Sequence, residues 1–178
     1  MHRQLVVLRH AKSSWETAGL ADHDRPLAPR GRRAVSALRR HLAEARIAPD
    51  LVLCSTARRA VETWEGIAPA CPPGTSVELS DELYGATAGE LLRRLRQVPT
   101  AVACVLMVGH SPGLPDLASG LVGSGSADLL RRVQSKFPTG AMAALVLPGP
   151  WAKVSWGSAE LVGYVVPREL SRADTTST

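Results

Sequence analysis

At 178 residues the chain suits one domain with a real buried core, and its 45% hydrophobic and 21% charged content is that of a globular protein. Aromatic residues are only 4%, so the core must be built mainly from Leu, Val and Ala, and no apolar run approaches the ~20 residues of a membrane-spanning helix. The formal net charge of +5 would suit a nucleic-acid partner, but the arginines fall on helical patterns (Arg30, Arg32 and Arg33; Arg93, Arg94 and Arg96) without interleaved aromatics for base stacking, and no such partner is expected.

The first strand-like run, at 4–9, ends abruptly in Arg9-His10 and leads into small and polar residues. It begins without the charged region, long apolar stretch and cleavage site of a secretory leader. Cys54, Cys71 and Cys104 form no CxxC pair and are odd in number, which favours reduced thiols over a disulfide frame or a zinc site. Together these features predict a cytoplasmic protein with no metal or other cofactor.

Residues 31–46 carry Ala34, Val35, Leu38, Leu42 and Ala45 at three- and four-residue steps, the pattern of an amphipathic helix. A second strand at 50–54 leads through Ser55-Thr56, both helix-capping types, into a helix at 57–68. Residues 69–75 read as a loop, and Thr87 with Glu90 forms a capping-box pattern opening a helix at 87–97. The run at 102–108 is apolar throughout, as in a strand buried on both faces, and ends in Gly109-His110 before a helix at 113–122. A further strand is expected at 141–147, a loop at 148–150, and two short edge strands in WAKVSWG and ELVGYVV. Strands separated by helix-length segments imply an α/β fold: a three-layer α/β/α sandwich on a mostly parallel sheet. The expectation is a single domain over 1–170 with 171–178 as a flexible tail.

In open α/β sheets, ligands bind beyond the carboxyl ends of the strands. Three of the predicted strands bring Arg9, His10, Arg59 and His110, or their near neighbours, to that edge. A neutral imidazole can attack phosphorus in line and form a phosphohistidine that water later cleaves. Arginine suits such a pocket because its planar fork binds phosphate oxygens in pairs and stays charged. A second histidine, His110, and backbone N–H groups after Ser111 would add donors. No metal is needed in this scheme, and there is neither a P-loop nor a carboxylate cluster to hold one.

RHAKSSW at 9–15, RPLAPRG at 25–31, STARRAVET at 55–63 and VGHSPG at 108–113 together resemble the histidine phosphatase superfamily, and within it the SixA-type phosphohistidine phosphatases. The resemblance spans roughly residues 4–147, in the family's order and spacing. It implies that His10 is the phosphorylated nucleophile and that Arg9, Arg59 and His110 complete the phosphate pocket. Alignment with the family's Ser-Pro-x-x-Arg-Ala pattern selects Arg59 over Arg58, which is left as a solvent-facing helix residue. Ser13 is a candidate hydrogen-bonding partner of the phosphate and Arg25 a candidate for the pocket's rim.

The chain departs from the family pattern at three places. Ala11 stands where many members have Gly, and Ser55-Thr56 replaces Ser-Pro. The motif that supplies a carboxylic acid in mutase-like members is absent, leaving Glu82 in SDELYGATAGELL as the candidate acid. Expelling an alkoxide calls for a positioned acid worth ~10²–10⁴ in rate, whereas an imidazole is released easily. The leading expectation is therefore a phosphohistidine phosphatase acting on a phosphate-bearing substrate, with a phosphohistidine-containing signalling protein as partner and a monomer or weak dimer as its state. The alternatives are a phosphatase of a small phosphate ester or nucleotide, and a non-catalytic phosphate-binding module.

Overall fold

The computed structural model describes residues 2–173. Seven strands, β1 (His2–Arg9), β2 (Leu51–Ser55), β3 (Ser76–Ser80), β4 (Cys104–Gly109), β5 (Val122–Gly125), β6 (Met142–Pro148) and β7 (Ala159–Val165), form one sheet in the order β3-β2-β4-β1-β6-β7-β5. Only β6 runs against its neighbours, being antiparallel to both β1 and β7; the other pairings are parallel. Among the described residues six helices cover the sheet: α1 (Pro29–Glu44), α2 (Arg58–Ile67), α3 (Ala88–Arg96), α4 (Gly113–Leu121), α5 (Ala127–Ser135) and α6 (Pro167–Ala173). This is the α/β/α sandwich that the alternation of strand and helix patterns predicts.

The apolar runs are continuous because the sheet is buried on both sides. Side chains alternate along a strand, so Leu51 and Leu53 join one core while Val52 and Cys54 join the other. The first core is closed by Leu91, Leu92 and Leu95 of α3 with Leu114, Leu117 and Leu121 of α4. The second is closed by Val35, Leu38 and Leu42 of α1 with Trp64 and Ile67 of α2. Each such fully buried leucine is worth about 2–5 kcal/mol against truncation to alanine.

Several elements differ from the sequence reading. β3 lies inside the stretch after the predicted 69–75 loop; it is an edge strand whose Val77 and Leu79 are exposed, so it lacks a buried pattern. The Gly-rich β5 is the opposite edge, and β7 is an inner strand paired on both sides. WAKVSWG is not a strand: Trp151–Lys153 is a 3-10 turn, anchored by buried Trp151 donating from Nε1 to the Val102 carbonyl at 2.8 Å. α5 starts on Ser126, whose Oγ accepts from Leu129 N–H at 3.3 Å. Residues 171–173 continue α6 rather than starting a tail, and 174–178 lie outside the described residues. No helix among the described residues is long and apolar enough to cross a membrane.

Candidate active site

β1, β2 and β4 end at the same edge because they pair in parallel, with Arg9 opposite Gly109 and Cys54 opposite Val108. The residues just beyond those ends, together with the 12–25 loop and Tyr84-Gly85, enclose a pocket of about 370 Å³. Arg9, His10, Ser13, Arg25, Arg59 and His110 all line it. The His10 and His110 rings lie 5.0 Å apart between centroids.

The backbone around His10 is held from two sides. His10 N–H donates to the Gly109 carbonyl at 3.0 Å, and Gly140 N–H lies 3.0 Å from both the Arg9 and His10 carbonyls. The ring is held too: Nδ1 is 2.7 Å from the Ala11 carbonyl, an acceptor, so Nδ1 carries the proton. Nε2 is left with its lone pair, facing Arg59 Nε–H at 3.3 Å. Burial pushes the His10 pKa down to about 3, helped by the positive charges of Arg59 and Arg9 and opposed by the Ala11 hydrogen bond. His10 is thus a neutral imidazole with an available Nε2.

His110 is neutral for the same main reason, burial, reinforced by Arg59 and opposed by Asp22, with its pKa down to about 4. Its Nε2 lies 2.8 Å from Ser55 Oγ. Ser55 Oγ accepts from Ala57 N–H at 3.2 Å, so its own hydroxyl proton is free to go to His110 Nε2. When Ser55 donates to Nε2, the His110 proton sits on Nδ1, a buried atom with no partner among the described residues. Arg9 is anchored by Nη1 donating to the Phe137 carbonyl at 2.8 Å, and its buried Nε likewise lacks a partner. Two donors are therefore unspent at a site that also holds guanidiniums and the Lys12 ammonium, a donor set that fits an anion.

Arg59 stands in the first turn of α2 and Arg58 faces solvent, pairing with Glu62 at 2.8 Å. The Ser55-Thr56 pair does not cap α2 as expected: Ser55 serves His110, and Thr56 bridges His23 and Asp81. Arg25, the candidate for the pocket's rim, lines the pocket and is 94% buried. Its Nε donates to the Ser14 carbonyl at 2.9 Å, Nη1 to Asp22 at 2.8 Å and Nη2 to Ser13 Oγ at 2.7 Å. Its guanidinium lies 3.2 Å over the ring of Trp15, which lines the pocket mouth and is 74% exposed.

Glu82 does not join this pocket. The 3-10 turn Asp81–Leu83 buries Leu83 and leaves Glu82 exposed, beside Glu90, Arg93 and Arg94 in a separate cleft. The carboxylate that does line the pocket is Asp22, which sequence reading passed over. It accepts from Tyr84 Oη at 2.7 Å, Arg59 Nη2 at 2.8 Å and Arg25 Nη1 at 2.8 Å. These contacts, the Tyr84 hydroxyl first, hold its pKa down to about 2, so Asp22 is ionised at neutral pH. Its place three residues before Arg25 in DHDR was the available signal. Among the described residues no three His, Cys, Asp or Glu side chains group in a way that could hold a metal ion.

Residues 5–111 match the histidine phosphatase superfamily (branch 1). The chain belongs to that superfamily. The histidine phosphatase match ends just past His110, so it includes every residue placed at the pocket except Thr139. An uncharacterized protein of Mycobacterium tuberculosis, Rv1276c, is 40% identical over 163 residues, covering 90% of this chain and 100% of that one. Among solved structures, the "putative phosphohistidine phosphatase SixA" of Nakamurella multipartitia superposes with a TM-score of 0.80 at 34% identity, covering 94% of this chain and 97% of that one. Its counterpart from Agrobacterium tumefaciens gives 0.78 at 30% identity, covering 93% and 98%.

Proposed function

We propose that the protein is a phosphohistidine phosphatase that works through a covalent phosphohistidine on His10. The observation that carries this reading is the pairing of a neutral, Nδ1-protonated nucleophile with a pocket whose carboxylate, Asp22, is ionised and so has no proton to give. Phosphate oxygens sit among Arg9, Arg59 and His110, which hold their developing charge. The His10 Nε2 lone pair attacks phosphorus as the substrate's P–N bond breaks, and the bonding pair stays with the substrate imidazole, whose other ring nitrogen already carries a proton, so that it leaves as a neutral ring. Water then attacks the phosphorus of phosphorylated His10, releasing inorganic phosphate and restoring the neutral ring. An imidazole departs without a strong acid behind it, whereas an alkoxide does not. The SixA descriptions of two similar structures support the same substrate class.

Exposed Trp15 at the mouth favours a second reading, a nucleotide whose base stacks on the indole. A substrate panel run with wild type and His10→Ala, chelator present, separates the two. Wild type is expected to prefer a phosphohistidine peptide over nucleotides and sugar phosphates and to trap phosphate on acid-labile histidine. His10→Ala is expected to lose turnover by about 10³-fold or more and to trap none. Full activity in His10→Ala sinks the proposal, and phosphopeptide binding without any trapped phosphate points to a binding module instead.

A further inference from the structure

A second cleft of about 870 Å³ adjoins the pocket and shares Lys12 and Thr139 with it. Its floor is apolar, from Ala34, Pro138, Val166 and Pro167. Its rim is basic: Lys12, Arg30, Arg33, Lys136 and Arg168 are all exposed. The one carboxylate in its wall, Glu169, is engaged by Arg132. Lys12, Arg30, Arg33, Lys136 and Arg168 have no ion-pair partner among the described residues. Five uncompensated cations around one opening set up a positive field at the entrance to the site.

The cleft walls are fixed to the residues that hold His10. Gly31, between Arg30 and Arg33, lies so close to the Lys12 carbonyl oxygen that a Cβ would stand 2.2 Å from it, and Ala28 N–H donates to the same oxygen at 2.8 Å. On the far side Gly140, which binds the His10 carbonyl, is covered by Pro167, with 2.7 Å from a Cβ position to Pro167 Cγ. A ligand in the cleft would therefore be held at a set distance and angle from the nucleophile.

We infer that this cleft docks an acidic, partly apolar polypeptide surface flanking the phosphorylated histidine of a protein substrate; the inference rests on the phosphohistidine reading above. The charge pattern suits a polypeptide better than a small anion. Small anions are gripped by buried, pre-oriented guanidiniums such as Arg25 and Arg59, whereas here the cations are long, exposed and spread over α1, α6 and two loops. Such rim charges steer encounter and select the partner, and their effect is screened by salt. The apolar floor gives the partner's hydrophobic side chains a place to bury.

The test uses two synthetic peptides with the same central phosphohistidine and leucines, one flanked by Asp and Glu, the other by Lys. Wild type is expected to favour the acidic peptide by about tenfold or more in kcat/KM, mostly through KM, and to lose that preference at high salt. The Arg30→Glu/Arg33→Glu/Arg168→Glu variant should abolish the preference while hydrolysing phosphoramidate, a substrate too small to reach the cleft, as fast as wild type. The milder Gln triple variant should also weaken the preference, which separates charge from misfolding. Equal use of both peptides by wild type overturns the docking inference and leaves the phosphohistidine chemistry standing. Hydrolysis of neither peptide, with phosphoramidate turnover intact, overturns the substrate reading itself. A single-stranded oligonucleotide that displaces the acidic peptide at lower concentration than the peptide's own KM overturns the inference in favour of a nucleic-acid surface.

Discussion

The carboxylate of Asp22 accepts from Tyr84, Arg59 and Arg25 at once, and half of its surface is open to solvent. It orients two guanidiniums, and it also places a negative charge where a phosphate must approach. Asp22→Asn keeps an acceptor for the arginines and removes the charge. Inhibition by inorganic phosphate should then tighten by roughly tenfold, about 1.4 kcal/mol for one like charge at a half-exposed site. Turnover of a phosphohistidine peptide should change far less. A fall in kcat of ~10² or more would instead make Asp22 the proton donor. Inhibition constants and kcat from the same preparation decide between these. The one trace of Asp22 in the chain was its spacing from Arg25, and the misplacement of Glu82 left none. DHD reads as a solvated turn until the loop folds across α2, and Glu82 is two residues from Tyr84, a shift that a single 3-10 turn converts from pocket to outer surface.

At the scale of elements, the approach of α1 to the Lys12 backbone depends on one missing side chain. Alanine is normally a better helix former than glycine by about 1 kcal/mol, so Gly31→Ala in an open helix would stabilise it. Here the added Cβ would lie 2.2 Å from a backbone oxygen, which cannot move aside as a flexible side chain could. Overpacking of this kind costs about 1–3 kcal/mol and should win. Gly31→Ala is expected to lower the thermal midpoint and to reduce kcat/KM, because Lys12 follows the nucleophile by two residues. A raised midpoint would show that the first turn of α1 is looser than the contact implies. The elements with strong periodicity, α1 to α4 and the buried strands, were readable because each presents an apolar face or run. β3 and β5 were not, since an exposed edge and a Gly-rich edge carry no burial pattern.

For the whole molecule, two buried histidines set the pH response. His10 and His110 are neutral in the fold down to about pH 3 and 4, while in an unfolded chain each titrates near its ordinary value of 6.5. Between about pH 6.5 and 4 the unfolded chain binds more protons, so stability must fall as the pH falls through that window, by up to about 1.4 kcal/mol per pH unit for each histidine. Asp22, with its lowered pKa, adds its loss only at lower pH. Denaturant midpoints at pH 7, 6 and 5 check this, and a His10→Asn/His110→Asn variant should flatten the slope. An unchanged midpoint between pH 7 and 5 would mean that both rings titrate in the fold as they do in the unfolded chain, so that burial does not hold them neutral.

The pocket is assembled from the ends of three parallel strands, a loop between β1 and α1, and the segment after β3. No two of its arginines come from the same stretch except by the folding of that loop, so no fragment of the chain holds the site. An anion that binds there recognises only the completed sheet and adds its binding free energy to the fold as a whole. Substrate concentration in the cell thereby becomes a determinant of how much of this protein is folded, as well as of how fast it works.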